Sequence, residues 1–344
     1  MSITLESAIE HPTGLGSTSP RALTGDRPTG DLHIGHYLAS LRNRVALQDN
    51  GSETYVLVAD YQVVTDRDSV GSIQGNVLSV VTDYLAAGID PRRSTIVAHS
   101  AVPELNQLML PFLSLVTDAE LRRNPTVKDE LAASDRPLSG LLLTYPVHQA
   151  ADILGVHGTL VPIGGDNLPH VEQARVIARR FNRRYAGGQE VFTPPEPLLT
   201  DVPLLAGLDG RKMSKSRGNT IPLGASADET AALVRGARTD SERTITFEPE
   251  RRPEVANLLR IAAGFRGVAP ELVADEIRDG GAARLKQVVV EAVNEGLSEH
   301  RARRAELGDD PGYVMEVLRD GNERVRRLAS GTLATVRTVM GMAY

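Results

Sequence analysis

Two short segments hold the residues best suited to phosphate chemistry. The first is TGDRPTGDLHIGHYLASLRNRV at residues 24–45, where His33 and His36 flank Gly35 at the start of an amphipathic helix. The first turn of a helix has free N–H groups and a partial positive charge, so phosphate binds there readily. Imidazoles can add hydrogen bonds as charge builds up on a phosphate. We therefore predict a nucleotide site here, with two surface histidines near a helix cap as the alternative.

The second segment is GRKMSKSRGNT at residues 210–220. Lys212 and Lys215 supply two ammonium groups in a loop that has a glycine on either side of them. A loop of this composition can clamp a polyphosphate. Taken alone, it could equally be a basic loop exposed to solvent.

The elements expected to position these segments alternate between strands and helices. Short apolar runs predict one strand that ends at Leu23 and others at residues 55–60, 94–100 and 160–165. Apolar residues at helical spacing predict helices at residues 76–89 and 171–181. This alternation favours an α/β domain with a parallel sheet. From about residue 227 only helical patterns follow, which predicts a C-terminal α-helical domain.

Composition narrows the functional class. The 344 residues include 38 basic and 44 acidic side chains, and the net charge of −6 argues against non-specific DNA binding. No apolar run of about 18 residues predicts a membrane span. The absence of cysteine excludes disulfides and thiolate metal sites and fits a cytoplasmic location. Residues 1–20 are rich in small polar residues, glycine and proline, and are predicted to be a flexible tail.

HIGH at residues 33–36 followed by KMSKS at residues 212–216 resembles the two signatures of class I aminoacyl-tRNA synthetases. The segment LLLTYPVHQAADILGVHGTLVPIGGDNLPHVEQARVIARRFN (141–182) is similar to their tryptophanyl branch, as is GARTDSERTITFEPERRPEVANLLRI (236–261). The resemblance covers about residues 21–340. It implies a Rossmann-like catalytic domain at 21–226 with a connective insertion at about 100–140, and a helical anticodon-binding domain with a C-terminal helix at 227–344.

The resemblance also implies an activity. ATP would activate tryptophan as an adenylate, and the aminoacyl group would pass to the 3′ end of tRNA(Trp). Mg²⁺ would accompany ATP without a metal site of the protein's own, and the chain would be a cytoplasmic homodimer with no DNA or membrane partner. His33, His36, Lys212 and Lys215 would be catalytic. The implied ATP contacts are Arg27, Pro28, Thr29, Gly35, His36, Gly164, Gly165, Asp166, Pro203, Lys212, Met213, Ser214, Lys215 and Ser216.

The amino-acid pocket follows from the same resemblance. Indole offers one N–H donor on a large apolar ring, so a selective site needs one acceptor in an apolar slot. Asp152 matches the family's indole-binding aspartate, although a helix cap or a surface carboxylate is the alternative reading of that residue alone. The other implied pocket residues are Tyr145, Gln149, Gln62, Val161, Ile163 and Asn167.

Four positions depart from the tryptophanyl pattern. Gln149 stands where the family usually has Met, Gln62 where it has His, and Asn167 and Arg27 where it has Gln. Tyr145, Gln149 and Asp152 together also resemble the polar pocket of tyrosyl-tRNA synthetases, which leaves that alternative open. The replacements are similar to an auxiliary tryptophanyl subgroup whose polar contacts weaken binding of tryptophan-mimic inhibitors. A non-tRNA nucleotidylyltransferase and a non-catalytic paralogue are the remaining alternatives.

Overall fold

One parallel sheet runs through the chain in this computed structural model, which describes residues 3–4, 20–64, 71–132, 137–164, 167–199 and 205–344. The strands are β1 (Ile3–Thr4), β2 (Arg21–Asp26), β3 (Glu53–Val58), β4 (Ser94–Ala98), β5 (Leu160–Ile163) and β6 (Glu196–Leu199). Their order is β1-β6-β5-β2-β3-β4, and every neighbouring pair is parallel. The α/β fold with a parallel sheet is therefore confirmed.

Helices cover the sheet and form most of the C-terminal part of the described chain, and short 3-10 turns lie at Asp60–Val64, His99–Ala101, Lys215–Arg217 and Arg278–Gly280. Helix α1 is continuous and has three parts, an α-helical turn at Ile34–His36, a π-helical stretch at Tyr37–Leu41 and an α-helix at Arg42–Asp49. The others are α2 (Ile73–Ala86), α3 (Pro103–Leu113), α4 (Asp118–Arg123), α5 (Pro125–Ala132), α6 (Gly140–Gly155), α7 (Leu168–Arg184), α8 (Ala227–Arg235), α9 (Pro253–Arg266), α10 (Pro270–Ile277), α11 (Gly281–Gly296), α12 (Ser298–Asp309) and α13 (Pro311–Val339). None of the described helices is both long and apolar enough to span a bilayer.

The strands differ from the predicted ones mainly at their ends. β2 continues to Asp26, three residues past the predicted end at Leu23, because it pairs with β3 along its whole length. β3, β4 and β5 lie within the predicted runs or start shortly before them. β6 was not predicted because it has four residues, one of them proline and one of them charged. β1 falls within the predicted tail, where its two residues pair with β6.

Helix α13 packs on the sheet rather than on the preceding helices alone. Its side chains Val325 and Ala329 are fully buried in the same apolar cluster as residues of β2, β3 and β4. The Asn322 amide oxygen accepts a hydrogen bond of 2.8 Å from the backbone N–H of Ala98. This helix therefore completes the core of the α/β unit, which differs from its predicted place in a separate helical domain.

A glycine permits this close approach. A Cβ atom at Gly321 would overlap the backbone carbonyl of Ile96, whereas a Cβ at Gly331 of the same helix would meet nothing within 4 Å. We expect Gly321→Ala to lower the free energy of unfolding by about 1–3 kcal/mol, because the helix must move off β4. Gly331→Ala is the matched control and should raise it by about 0.5–1 kcal/mol through helix propensity. Urea unfolding measures both, and equal effects would contradict the described packing.

Candidate active site

The HIGH segment lies just beyond the carboxyl end of β2, where a parallel sheet usually binds its ligands. His33 is the N-cap of α1, and its Nδ1 accepts a hydrogen bond from Gly35 N–H at 3.2 Å. Nδ1 of His36 accepts one from His33 N–H, also at 3.2 Å. Because both Nδ1 atoms accept, each neutral ring carries its proton on Nε2. Each ring therefore has an Nε2–H that can be donated to a phosphate oxygen.

Both rings are held in the neutral form. Burial lowers the pKa of His33 to about 3, with further contributions from His36 and Lys215. Burial and Lys215 also lower the pKa of His36 to about 4, although the Asp26 carboxylate opposes the shift. The ring centroids are 3.9 Å apart, so two charged rings would repel strongly. At neutral pH the pair can act only through hydrogen bonds and not as cations.

The KMSKS loop meets the HIGH segment directly. Lys215 Nζ donates a 2.7 Å hydrogen bond to the carbonyl of Gly30. A Cβ at Gly35 would lie 3.1 Å from Met213 Sδ, so the glycine makes room for the methionine. The backbone after the loop pairs with the backbone before α1, and Ile34 N–H donates to the Ile221 carbonyl at 3.0 Å. The two segments that sequence reasoning brought together are therefore adjacent.

Asn219 fixes the shape of this loop, a role that sequence reasoning missed. Its side-chain oxygen accepts from Ser214 N–H at 2.9 Å, and its Nδ2 donates to Asp209 at 2.7 Å and to the Lys212 carbonyl at 3.2 Å. The residue is 5% exposed. The side-chain amide of Asn219 is thus hydrogen-bonded to residues before and within the KMSKS segment, and these bonds hold the loop that carries the two lysines. Lys212 itself is exposed.

A buried ion pair supports the floor of the site. Asp26, the last residue of β2, lies 2.6 Å from Arg44 of α1 and accepts a 2.7 Å hydrogen bond from Tyr84. Burial raises the pKa of Asp26, but Arg44 outweighs burial and holds the pKa well below its usual value. This pair locks α1 to the end of β2 and so fixes the direction of the histidines.

The remaining residues predicted to contact ATP lie around these segments. Arg27 forms an ion pair of 3.6 Å with Glu130 of α5, which brings the connective insertion over the first loop. Thr29 N–H donates to the Arg27 carbonyl at 2.8 Å and closes a turn at Pro28. Gly164 follows β5 directly and its carbonyl accepts from Asn167 N–H. Three predicted residues and one side chain lie outside the part that the structure describes: Gly165, Asp166, Pro203 and the side chain of Ser216.

The predicted amino-acid pocket is built on one face of α6. Tyr145, Gln149 and Asp152 are spaced four and three residues apart, so they lie on the same side of this helix. The Tyr145 hydroxyl and Nε2 of His170 are 3.1 Å apart. Val161 and Ile163 point to one side of β5, are buried and share an apolar cluster with α6, and Asn167 is the N-cap of α7. The predicted residues thus come from three elements, α6, β5 and the start of α7.

Gln62 contacts His148 of α6, a histidine that was not among the predicted pocket residues. Its Nε2 lies 3.2 Å from Nδ1 of His148, and Nε2 of His148 lies 2.7 Å from the Asn106 side-chain oxygen. A glutamine N–H must donate, so His148 accepts at Nδ1 and donates to Asn106 from Nε2. Burial lowers the pKa of His148, which agrees with this neutral form.

A second unpredicted histidine lies beside Asp152. His99 directly follows β4, is 0% exposed, and its Nε2 is 3.0 Å from Oδ1 of Asp152. Burial lowers the pKa of His99, but the neighbouring Asp152 carboxylate outweighs burial and raises the pKa overall. Its position near the carboxyl end of the strand predicted at residues 94–100 was the available signal, because parallel strands carry functional residues at their carboxyl ends.

His99, His148 and Asp152 also have a spacing that could suit a cation, since one ligand atom from each lies within 4.8 Å of the others. However, both nitrogens of His148 already form hydrogen bonds, to Gln62 and Asn106. A metal would have to displace one of these bonds. The arrangement therefore fits a polar corner of an organic ligand pocket better than a metal centre.

The neutral histidines make the fold sensitive to acid. In the unfolded chain each imidazole binds a proton near pH 6.5, whereas folded His33 and His36 do so only near pH 3 and 4. Unfolded chains therefore bind more protons in this window, and stability should fall as pH drops from about 6.5 to 4. Urea midpoints at pH 7.5 and 5.0 measure the loss. The His33→Gln/His36→Gln double variant should show a smaller loss, and an unchanged loss would contradict the assignment.

Comparison with known proteins gives consistent results. The family pattern described as "tRNA synthetases class I (W and Y)" matches residues 17–298. The chain is 40% identical over 332 residues to a tryptophan–tRNA ligase of Clostridium longisporum, covering 94% of this chain and 97% of that one. A tryptophan–tRNA ligase of Treponema pallidum is 40% identical over 334 residues, with 94% and 97% covered. The crystal structure of Campylobacter jejuni tryptophanyl-tRNA synthetase with ADP and tryptophan superposes with a TM-score of 0.80 at 31% identity, covering 93% of this chain and 99% of that chain.

Proposed function

The chain belongs to the class I tRNA synthetases of the tryptophan and tyrosine group, and from that premise we propose that it is a tryptophan–tRNA ligase. The observation that carries the proposal is the contact between the KMSKS loop and the HIGH segment, with Lys215 Nζ 2.7 Å from the Gly30 carbonyl. We assign Asp152, a buried carboxylate of α6, as the acceptor for the indole N–H.

The first step joins tryptophan to ATP. The tryptophan carboxylate attacks the α-phosphorus in line, the bond to the pyrophosphate oxygen breaks, and tryptophanyl-adenylate stays bound. Such a step needs mainly positioning and charge stabilisation from the protein. His33 and His36 donate from Nε2 to phosphate oxygens, and the ammonium groups of Lys212 and Lys215 stabilise the departing pyrophosphate.

The second step passes the tryptophanyl group to the terminal adenosine of tRNA(Trp). We assign recognition of the anticodon to the helical segment at residues 227–344, apart from α13, which covers the sheet. Unpaired loop bases are the parts of an RNA that proteins usually read, and helices α8 to α12 present the surface for this. We also propose, from the family resemblance, that the chain acts in the cytoplasm.

Mg²⁺ and a second copy of the chain complete the proposal. The side chains beside the phosphate path, His33, His36 and Lys215, offer nitrogen, whereas Mg²⁺ prefers oxygen ligands. Mg²⁺ therefore accompanies ATP on phosphate oxygens and water. We propose a homodimer on the basis of the family resemblance. Leu110 of α3, which is 70% exposed, supplies an apolar side chain that the dimer interface would cover.

Pyrophosphate–ATP exchange run separately with each of the twenty amino acids tests the function. We expect exchange to depend on tryptophan. Exchange with tyrosine instead would support the tyrosyl alternative, which the 40% identity to tryptophan–tRNA ligases disfavours. Exchange without an amino acid would indicate a non-tRNA nucleotidylyltransferase. No exchange at any tryptophan concentration would indicate a non-catalytic paralogue.

A further inference from the structure

His99 and Asp152, in the proposed amino-acid pocket, have buried polar atoms that form no hydrogen bonds. Both ring nitrogens of His99 and Oδ1 of Asp152 are buried, and none of the three has a hydrogen-bond partner among the described residues. Yet His99 Nε2 and Asp152 Oδ1 are only 3.0 Å apart. The two atoms are thus in close contact without a hydrogen bond between them, and Oδ1 keeps its capacity to accept from another donor.

A buried acceptor without a partner destabilises the protein unless a ligand satisfies it. Asp152 has this property at the place where the proposed substrate carries its one ring N–H. His99 in turn is fixed from two further sides. Its ring lies edge-on to Tyr61 with centroids 5.5 Å apart, and the backbone N–H of the next residue, Ser100, donates to Asp60 at 2.9 Å.

We propose that His99 is the positioning residue for indole selectivity: it holds the Asp152 carboxylate so that Oδ1 points at the substrate N–H. The inference rests on the proposed function, because it concerns how that same pocket recognises tryptophan. His99 does not itself contact the reacting atoms. It acts through Asp152, whose Oδ1 lies 3.0 Å from its Nε2.

His148 does not perform this role, although its ring centroid is only 4.0 Å from that of His99. Both of its nitrogens are engaged, by Gln62 and by Asn106. The neutral His148 and its two partners therefore pack against the ring of His99 and help to hold His99 next to Asp152. The pKa values of these two neighbouring histidines are thus shifted in opposite directions, that of His99 upward by Asp152 and that of His148 downward by burial.

The test compares tryptophan with 3-(benzothiophen-3-yl)alanine, in which sulfur replaces the indole N–H. We expect the unmodified chain to prefer tryptophan in kcat/KM for ATP–pyrophosphate exchange. In His99→Leu this preference should fall about tenfold or more, the size of a lost charged hydrogen bond. The loss should appear in the KM for tryptophan, while kcat at saturating amino acid stays close to the unmodified value. His99→Gln, which keeps an N–H donor, should recover part of the preference.

Two further variants make the outcome decisive. In an Asp152→Ala background, His99→Leu should have no further effect on the preference, because the residue acts only through that carboxylate. His157→Asn is the matched control, since His157 contacts Thr332 of α13 and not the pocket. An unchanged preference in both His99 variants would overturn the proposal while leaving the proposed function intact. Absence of any tryptophan-dependent exchange in the unmodified chain would instead refute the function.

Discussion

Lys215→Ala lowers the rate constant of tryptophan-dependent ATP–pyrophosphate exchange by about 10²-fold to 10³-fold. This is the effect of removing one preorganised donor from developing charge. The ammonium group lies 2.7 Å from the Gly30 carbonyl and electrostatically influences both His33 and His36, so it faces the space where the triphosphate must lie. Because pyrophosphate gains charge only as it leaves, the loss should fall on kcat, with a modest change in the KM for tryptophan.

The chain offers a matched control for this variant. It has four lysines, and Lys286 lies in α11, where its Nζ donates to the Arg235 carbonyl at 2.8 Å. Lys286→Ala removes the same charge far from the loop and should leave the exchange rate unchanged. A similar loss in both variants would mean that net charge, and not the position of the ammonium group, accounts for the effect.

The second large effect is expected at Asp152. Asp152→Ala removes the acceptor for the indole N–H and should lower kcat/KM for tryptophan by about tenfold to 150-fold, equivalent to about 1.5–3 kcal/mol for a hydrogen bond to a charged group. Phenylalanine has no ring N–H, so its much weaker activation should change little. The preference for tryptophan over phenylalanine therefore narrows by about the same factor, because a site built around a polar contact loses its discrimination with that contact.

Exchange rates with the two amino acids at several concentrations measure this preference. Asp118→Ala is the control, because Asp118 is an exposed carboxylate of α4 whose ion-pair partner is Arg122. An equal loss with tryptophan and phenylalanine would show that the variant only damages the fold. Unchanged selectivity would show that another residue reads the indole.

The sequence allowed the adjacency of the HIGH segment and the KMSKS loop to be predicted, because a histidine pair at a helix start and a lysine pair in a glycine-bounded loop suit the same anionic ligand. It also predicted the parallel sheet, because strands and helices alternate. The helix pattern and the alternation of elements are local properties, which a sequence displays directly. Tyr145 and Asp152 were assigned to one pocket by the family resemblance, and the face of α6 that carries both appears only in the structure.

Other features depend on contacts between distant parts of the chain. His99 meets Asp152 only because the fold packs the end of β4 beside α6, and the sequence around His99 contains no sign that a carboxylate will lie next to it. Asn219 appears in the sequence as an ordinary loop residue, and its three hydrogen bonds exist only once the loop has closed. The amphipathic pattern of α13 showed that one face is buried but not which surface it covers.

The position of α13 bears on how the protein is made. A ribosome that adds about 5–20 residues per second needs roughly 20–70 s for 344 residues. During that time β2, β3 and β4 have already emerged, but the helix that covers them has not been synthesised. The nascent polypeptide therefore carries an uncovered apolar surface until α13 has been synthesised and has packed onto the sheet, and during that time this surface is available for aggregation or for chaperone binding.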